Sequence, residues 1–376
     1  MVADKQITVT DVAVVIPFFN GSAYIERAIK SALSQSRRPS EIIIVDDGSS
    51  AAEAKKLASI ARDYPVTVLT QPNGGQGSAR NLGIKTARAD FVCLLDQDDY
   101  FLEWHIEHLV SIAEARGDQR FAFAYGDTWR GDERGTVLYR SWVESASVHP
   151  KTNLFMQLEH DCFILPSASL IAKQPFLELG GFDESLRGFE DDDLFTRFFA
   201  AGYTSVFDSR PVTFWTINEL STSYSIVFSR SRWLYFEKLL RTYPDRPTSN
   251  EFIFRDRLRP RFMGEFVFSY LSSCFFQDGH AGEHLERLRA FRNYLEANPS
   301  CRGLRRDRFV LSVMVRLRSK DAVRVAKIMA STWGGPFFGR LGKRSVRPRL
   351  RELVNLSRQA TTSPHEPSDP SQSRKR

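Results

Sequence analysis

The feature that most constrains the fold is a series of short apolar runs, rich in β-branched residues, in the first half of the chain. The runs at 12–16 and 42–45 are continuous, as is typical of parallel strands that are buried on both faces. Further runs follow at 66–69, 91–95 and 121–125, with helical spacing of apolar residues between them. Strands that alternate with helices in this way predict an α/β fold with a mostly parallel sheet flanked by helices.

Polar clusters follow three of these predicted strands. They are residues 18–20 after the first strand, 46–50 after the second and 96–99 after the fourth. Ligands of open α/β sheets bind outside the carboxyl ends of the strands. We therefore expect the three clusters to share one edge of the sheet and to form one site.

The acidic run at 96–99 has the most specific chemistry of the three clusters. Asp96, Asp98 and Asp99 place three carboxylates within four residues, and carboxylates this close repel one another. A divalent cation such as Mg²⁺ or Mn²⁺ removes that cost, because both ions prefer oxygen ligands. The alternative is a capped turn before the next helix, and the run taken alone does not decide between the two.

Two further polar segments contain glycine. Gly48 permits a tight turn, and the preceding Asp46 accepts hydrogen bonds of the kind that a base or a ribose donates. A simple turn is the alternative. The segment 73–81 is a glycine-rich loop that runs into a helix, where backbone amides and Arg80 suit a diphosphate or a ribose. It matches neither the dinucleotide-binding pattern nor the Walker pattern.

A second acidic run, 190–193, opens a predicted helix. Acids at a helix N-terminus are favourable through the helix dipole, so a cap is one interpretation. Four consecutive acids exceed what a cap needs, and a general base is the other interpretation.

The net charge changes sign along the chain. Residues 230–376 hold 31 basic and 14 acidic residues, a net charge of +17, which leaves −10 for residues 1–229. The stretch 230–358 has helical patterns and many arginines, and 359–376 is rich in Ser, Pro and Thr. We therefore predict a first domain over 1–229, a smaller basic α-helical region over 230–358 and a disordered tail over 359–376.

The basic region allows three interpretations. Arginines alternate at 255, 257, 259 and 261, and basic clusters follow after residues 302 and 343. Basic segments interleaved with Phe, Leu and Trp suit an anionic membrane surface, and a solvated face of a helical region is the alternative. Nucleic acid is disfavoured, because helix-turn-helix, zinc and RNA-sheet patterns are all absent from the sequence.

The location of the protein is predicted from what the sequence lacks. No apolar run reaches the roughly 18 residues that span a bilayer, and the N-terminus has no secretion-signal layout. Four widely spaced cysteines indicate a reducing compartment. We expect a cytoplasmic protein, which under the membrane-surface interpretation of the basic region would be peripheral on the inner face of the membrane.

Seven short motifs occur in an order and spacing that resembles family 2 glycosyltransferases with the GT-A fold, which is Rossmann-like. The resemblance covers roughly residues 10–225. The motifs are Val14–Asn20, Ser31–Gln35, Ile44–Ser49, Gly77–Asn81, Leu95–Asp99, Gly180–Glu184 and Glu190-Asp191.

The resemblance implies an inverting enzyme that takes a sugar from a nucleotide-sugar donor. It implies that Asp46 meets the base of the nucleotide, that Asp96 contacts the ribose or sugar, and that Arg80 and Asn81 lie along the donor. The full set of implied donor-binding residues is Pro17, Phe19, Asn20, Asp46, Asp47, Gly48, Gly75, Arg80, Asn81, Asp96 and Gln97.

The remaining implied roles concern the metal, the base and the acceptor. The resemblance implies Asp98 and Asp99 as ligands of Mn²⁺ or Mg²⁺, and Asp191 as the base with Glu190 beside it. Gly181 and Phe182 would shape the acceptor side. Many relatives carry a histidine where this sequence has Asn218, so the ligands beyond these aspartates stay open.

The resemblance also suggests substrates. It implies a UDP-sugar as donor, with GDP and dTDP donors as alternatives, and transfer of a hexosyl or N-acetylhexosaminyl group. The acceptor would be a hydroxyl of a glycan or lipid-linked glycan in cell-surface polysaccharide synthesis. The alternative function is a nucleotide-sugar-binding protein without catalysis, against which the presence of Asp98 and Asp191 argues.

Overall fold

The computed structural model describes residues 7–218, 225–317, 320–322 and 324–325. It contains two compact units, the first of which comprises the chain to Met263 together with Asn293–Leu304. The second unit comprises Gly264–Arg292 and the chain from Arg305 onward. The predicted tail at 359–376 lies outside the described residues, and the predicted domain boundary after residue 229 stays a prediction.

A nine-stranded mixed sheet forms the centre of the first unit. Its strands are β1 (Val12–Phe18), β2 (Glu41–Asp46), β3 (Thr67–Thr70), β4 (Phe91–Leu94), β5 (Tyr100–Phe101), β6 (Phe121–Gly131), β7 (Val137–Tyr139), β8 (Ser169–Ala172) and β9 (Thr204–Thr216). The order across the sheet is β3-β2-β1-β4-β8-β6-β9-β5, and β7 pairs with β6. Neighbours among β1 to β4 pair in parallel, as do β6 and β9, whereas β8 runs antiparallel to β4 and β6.

Helices cover the sheet and continue into the C-terminal part of the chain. They are α1 (Ile25–Leu33), α2 (Ala51–Ala61), α3 (Gln76–Thr86), α4 (His105–Arg116), α5 (Val143–Ala146), α6 (Leu154–Glu159), α7 (Lys173–Glu178), α8 (Glu190–Ala200), α9 (Ile226–Thr242), α10 (Arg259–Phe276), α11 (Ala281–Ala297) and α12 (Arg305–Met314). Within the described ranges, none of these helices is long and apolar enough to span a bilayer.

Strand β1 shows why the sheet is covered on both sides. All seven of its residues are buried, and alternate side chains enter two different apolar cores. Val14 and Ile16 join the core that includes Ile29 of α1, whereas Val15 joins the core that includes Ile84 of α3. A continuous β-branched run is what such a doubly covered strand requires.

The five predicted strands are all present and share one direction, and the predicted fold class is confirmed. Several details differ. Strands β5, β7, β8 and β9 were not predicted, and β8 inserts antiparallel between β4 and β6. The helix predicted from residue 101 begins instead at His105, because Tyr100 and Phe101 pair with the end of β9 as β5.

Candidate active site

The polar clusters after β1, β2 and β4 meet at one edge of the sheet. Phe18 lies opposite Asp46 in the register of β1 and β2, and the backbone N–H of Asp47 donates to the carbonyl of Phe18 (2.8 Å). The side chain of Gln97 accepts from the backbone N–H of Phe19 (2.9 Å) and donates to its carbonyl (3.2 Å). The predicted neighbourhood of the three clusters is therefore present.

The first of these clusters presents an aromatic ring to solvent. The Phe19 side chain is 46% exposed, although it is next to the buried Phe18. Asn20 fixes the turn after it, since its backbone N–H donates to Ser49 (2.9 Å) and its side-chain oxygen accepts from the N–H of Ser50 (2.9 Å). The ring of Phe19 is thus held at the edge where the resemblance expects the nucleotide base.

Asp46 and Asp47 differ in their surroundings. Asp46 is buried and accepts a hydrogen bond from the backbone N–H of Ser49 (3.0 Å). The carboxylate of Asp47 accepts from the Gln71 side chain (2.7 Å) and from the backbone N–H groups of Gly74 and Gly75 (2.8 Å each). Asp47 therefore shapes the glycine-rich loop, and the two glycine amides that sequence analysis assigned to a diphosphate already donate to it.

Gly48 is required by close packing at this turn. Its φ of +72° lies in the left-handed region, and a Cβ atom there would come within 2.7 Å of the backbone nitrogen of Asn73. A side chain at position 48 would push the glycine-rich loop away from β2.

The strand-end acids, Asp96, Asp98 and Asp99, have three different environments. The Asp96 carboxylate accepts from Arg80 and from Gln76 (2.6 Å each). Asp99 is only 1% exposed, and its two oxygens accept from the backbone N–H of Thr216 (2.9 Å) and the hydroxyl of Ser167 (3.1 Å). These contacts engage Asp96 and Asp99 with the protein itself.

Asp98 is the strand-end acid with the fewest protein partners. Its carboxylate lies 3.4 Å from the side-chain nitrogen of Asn218, and no described cation lies within ion-pair distance of it. Burial and the neighbouring Asp96 raise the pKa of Asp98 above its ordinary value. Burial, Asp98 and Asp96 raise the pKa of Asp99 further. The negative charge of this cluster is therefore balanced only in part by the protein.

The chemistry of these donors fits a divalent cation that is shared with a substrate. Among the described residues, no group of three or more His, Cys, Asp and Glu side chains forms a complete metal site. Mg²⁺ in phosphate-transfer sites is commonly held by one or two carboxylates together with substrate phosphates. The partly exposed Asp98 provides one such carboxylate, and the side-chain amide of Asn218 lies beside it.

Arg27, which no sequence motif singled out, supports the backbone of the strand-end acids. Its guanidinium donates to the carbonyl of Asp98 (2.6 Å) and to the hydroxyl of Thr216 (3.0 Å), and it lies over the ring of Tyr100 (4.9 Å). Arg27 thereby ties α1 to the turn after β4 and to the end of β9. Its place on the amphipathic helix α1 gave no sign of this role.

The helix-start acids, Glu190 to Asp193, form the first turn of α8. Three of them pair with a cation, and each of these ion pairs lies within the first unit. Glu190 pairs with Arg80 (3.0 Å), Asp192 pairs with Arg261, and Asp193 pairs with Arg197 (2.7 Å) and Lys238 (2.6 Å).

Asp191 is the exception among the helix-start acids. Its carboxylate accepts one hydrogen bond, from the backbone N–H of Asp192 (2.9 Å), and no described cation lies within ion-pair distance of it. Burial and the adjacent Glu190 raise the pKa of Asp191 to about 7, although the nearby Arg80 opposes the shift. A carboxylate with such a pKa takes up a proton near neutral pH.

Arg80 joins the two acidic groups. The side chain is buried on α3, and it donates one N–H to Asp96 (2.6 Å) and another to Glu190 (3.0 Å). Arg80 therefore connects the strand-end acids to the helix-start acids.

The predicted acceptor-side residues pack against Asn81. Its side-chain nitrogen donates to the carbonyl of Phe182 (2.9 Å) and to Glu184 (2.9 Å), while its side-chain oxygen accepts from the N–H of Phe182 (2.8 Å). A Cβ atom at Gly181 would approach that oxygen to 2.6 Å. Asn81 is 3% exposed and fixes the loop before α8. This structural role was not predicted, since the resemblance implied only that Asn81 lies along the donor.

Comparison with known proteins shows which proteins this domain resembles. Residues 13–179 match the model of Glycosyl transferase family 2. An uncharacterised glycosyltransferase of Rickettsia conorii is 33% identical over 205 residues, which are 52% of this chain and 33% of that protein. A second one, from Rickettsia prowazekii, is 32% identical over 195 residues, 50% of this chain and 58% of the relative. The chain thus spans between a third and about three fifths of these relatives.

Solved structures agree with the fold. TarS 1–349 of S. aureus in complex with UDP has a TM-score of 0.56 at 17% identity, covering 87% of this chain and 93% of TarS 1–349. The same protein in complex with UDP-GlcNAc has a TM-score of 0.55, covering 93% of this chain and 92% of the other. The sheet order and these neighbours agree on the GT-A fold, and residues 13–179 are similar to glycosyltransferase family 2.

Proposed function

We propose that this protein is an inverting glycosyltransferase in which Asp191 is the general base. The observation that carries the proposal is the charge pattern of α8. Glu190, Asp192 and Asp193 each pair with a cation, whereas Asp191 has none within ion-pair distance among the described residues. A base is useful when its pKa lies near the working pH, and the raised pKa of Asp191 meets that condition.

The reaction follows from this arrangement. The acceptor hydroxyl oxygen attacks the anomeric carbon of the donor sugar and forms the new glycosidic bond. The bond from that carbon to the diphosphate oxygen breaks, and the nucleoside diphosphate leaves with the electron pair. The hydroxyl proton goes to Asp191. A single displacement from the opposite face inverts the anomeric configuration.

The donor is a nucleoside diphosphate sugar, and UDP-sugars are our first choice. Exposed Phe19 and buried Asp46 would receive the base, while Arg80 and Asp96 would face the ribose and the sugar. The UDP and UDP-GlcNAc complexes of TarS share this fold and support the choice of nucleotide. Transfer of a hexosyl or an N-acetylhexosaminyl group is equally compatible with these residues.

Asp98 would hold Mn²⁺ or Mg²⁺, and the cation would offset the charge that develops on the leaving diphosphate. Asp98 is the first choice because, among the described residues, its carboxylate has a single and distant donor, Asn218 at 3.4 Å. Asp99 would become a ligand only by giving up the hydrogen bond from Thr216 or from Ser167. We therefore assign Asp99 to the support of the site and Asp98 to the metal.

The acceptor is a hydroxyl of a glycan or lipid-linked glycan in cell-surface polysaccharide synthesis, and the protein works on the cytoplasmic face of a membrane. In the described part of the second unit, α12 carries Arg305, Arg306 and Arg308 next to Phe309, whose side chain is 68% exposed. Cations beside an exposed aromatic ring suit an anionic leaflet. Flotation with anionic vesicles at physiological salt tests this membrane attachment. Phe309→Ser should weaken binding to the vesicles. If the wild-type protein does not bind them, the membrane attachment is contradicted.

The central test replaces the base. Asp191→Asn should reduce turnover of a UDP-sugar in the presence of Mn²⁺ by about 10²- to 10⁴-fold, since a positioned base contributes that much. Binding of the UDP-sugar, followed by thermal shift, should be unchanged. The exposed Asp63→Asn is the matched control and should keep wild-type turnover.

Two results would redirect the proposal. If Asp191→Asn kept most of the activity, another group would be the base. If the wild-type protein bound UDP-sugars but transferred no sugar from any of a panel of UDP, GDP and dTDP donors, the alternative of a nucleotide-sugar-binding protein without catalysis would replace the enzyme.

A further inference from the structure

Arg261 belongs to the alternating arginines that sequence analysis assigned to a basic surface, but the structure buries it. Its side chain is 1% exposed, near the start of α10. One N–H donates to the carboxylate of Asp192, a second donates to the carbonyl of Gln157 (2.7 Å), and Nε lies 3.4 Å from Asp161. The guanidinium also lies over the ring of Tyr235 (5.5 Å).

The buried guanidinium of Arg261 is stabilised by the acidic groups around it. Removing a charge from water is costly unless it is paired and hydrogen-bonded, and Arg261 has two carboxylates and a carbonyl around it. Its principal partner, Asp192, directly follows the proposed base Asp191 in α8. Arg261 therefore reaches the catalytic helix from a part of the chain beyond the predicted domain 1–229.

Several other ionisable groups surround the pair Asp191 and Asp192. Glu190 comes from the same turn of α8, and the remaining groups come from α3, α9 and the segment between α5 and β8. They are Arg80, Tyr235, Lys151, Asp161 and Cys162. Burial raises the pKa of Asp192 to about 7 as well, the same value as that of Asp191, and its ion-pair partner Arg261 is the main influence that opposes the increase.

We infer that Arg261 is a positioning residue, which holds Asp192 as a paired carboxylate so that the acceptor proton goes to Asp191 and not to its neighbour. This inference rests on the proposed role of Asp191 as base. Without Arg261, two adjacent buried carboxylates would compete for one proton, because like charges in close contact disfavour ionisation of both.

The test is the acid limb of the pH profile of kcat/KM for the full-length protein. Arg261→Met should move that limb upward by about one pH unit, because Asp192 loses its cation. Arg261→Lys keeps the charge and should leave the limb closer to that of the wild type. Asp192→Asn should move it downward, since the charge of Arg261 then acts on Asp191 alone.

A double variant separates charge from general damage. Arg261→Met combined with Asp192→Asn should return the acid limb close to its wild-type position, whereas disruption of packing would not be rescued. Arg257→Met is the matched control, since Arg257 pairs with Glu159 at the surface, and it should leave the limb unchanged.

A second readout does not depend on the substrate. Titration of the ¹³C carboxyl signal of Asp191, assigned through Asp191→Asn, should show the same upward and downward shifts in the folded protein. If wild-type transfer is absent, the proposed function fails while this titration still tests Arg261. If the titration of Asp191 is unchanged in folded Arg261→Met, the inference is overturned. If Arg261→Met does not fold, an unchanged titration in Asp192→Asn overturns it instead.

Discussion

The strand-end acids and the helix-start acids are two acidic runs of similar composition that the protein treats in opposite ways. In the helix-start run, three carboxylates pair with a cation, and Asp191 alone has none within ion-pair distance in the described chain. In the strand-end run, Asp96 alone has an ion pair, while Asp98 and Asp99 meet amide, hydroxyl and backbone donors. The first pattern leaves one proton acceptor, and the second leaves charge for a cation to balance.

The largest expected effect comes from the residue that both runs share. Arg80→Met should reduce kcat/KM more than any other single change and should lower the free energy of unfolding by about 3–5 kcal/mol, as loss of one partner from a buried ion pair does. The reason is that Asp96 and Glu190 lose their common cation. Enzyme kinetics and urea unfolding measure the two effects.

A surface arginine provides the control for that change. Arg88 pairs with Glu41, but its side chain is 86% exposed, so Arg88→Met should leave both quantities near those of the wild type. An Arg80→Met protein with normal kinetics would mean that the two runs work independently.

The next largest effect distinguishes the strand-end acids from the helix-start acids by whether donor binding depends on Mn²⁺. Asp98→Asn should weaken binding of a UDP-sugar in the presence of Mn²⁺ by at least about tenfold. Mutation of a residue that merely hydrogen-bonds a metal ligand already lowers metal affinity by about that factor, and loss of a ligand should cost no less. Binding measured with excess chelator should be equal in variant and wild type. Asp191→Asn should show no such dependence on Mn²⁺. Equal responses of the two variants to Mn²⁺ would remove the distinction.

The smallest effect concerns pH and stability. Because the pKa of Asp191 is raised in the folded protein, its contribution to stability is present below the ordinary pKa of aspartate and is lost as pH rises through about 7. Asp191→Asn should therefore raise the melting temperature by a few degrees at pH 8 and by less at pH 4.5. Differential scanning calorimetry at both pH values tests the sign, and a variant less stable than the wild type at pH 8 contradicts it.

The sequence alone predicted the main features of the fold for a physical reason. The strands β1, β2 and β4 are buried on both faces, so their apolar runs are continuous and easy to recognise. Strand β8 has only four residues and carries no alternation, because all four are buried. Such a run is not distinguishable from a turn of buried helix, and its antiparallel insertion depends on distant partners.

The site was predictable in its chemistry but not in its support. The motifs identified the acidic groups at the correct ends of strands and helices. They did not reveal that Asp47 and Asn81 bind backbone groups of neighbouring loops, since such contacts depend on tertiary packing. Arg261 was least predictable, because an arginine in a basic run is usually solvated and only the folded chain buries it.

The contacts of Asp47 have a consequence for binding kinetics. Its carboxylate holds the glycine-rich loop in one conformation before any ligand arrives, through the amides of Gly74 and Gly75 and the side chain of Gln71. A loop that is already ordered loses little conformational entropy when a nucleotide binds. Recognition of the donor should therefore proceed by diffusional encounter with a preformed surface, without a slow isomerisation step after contact.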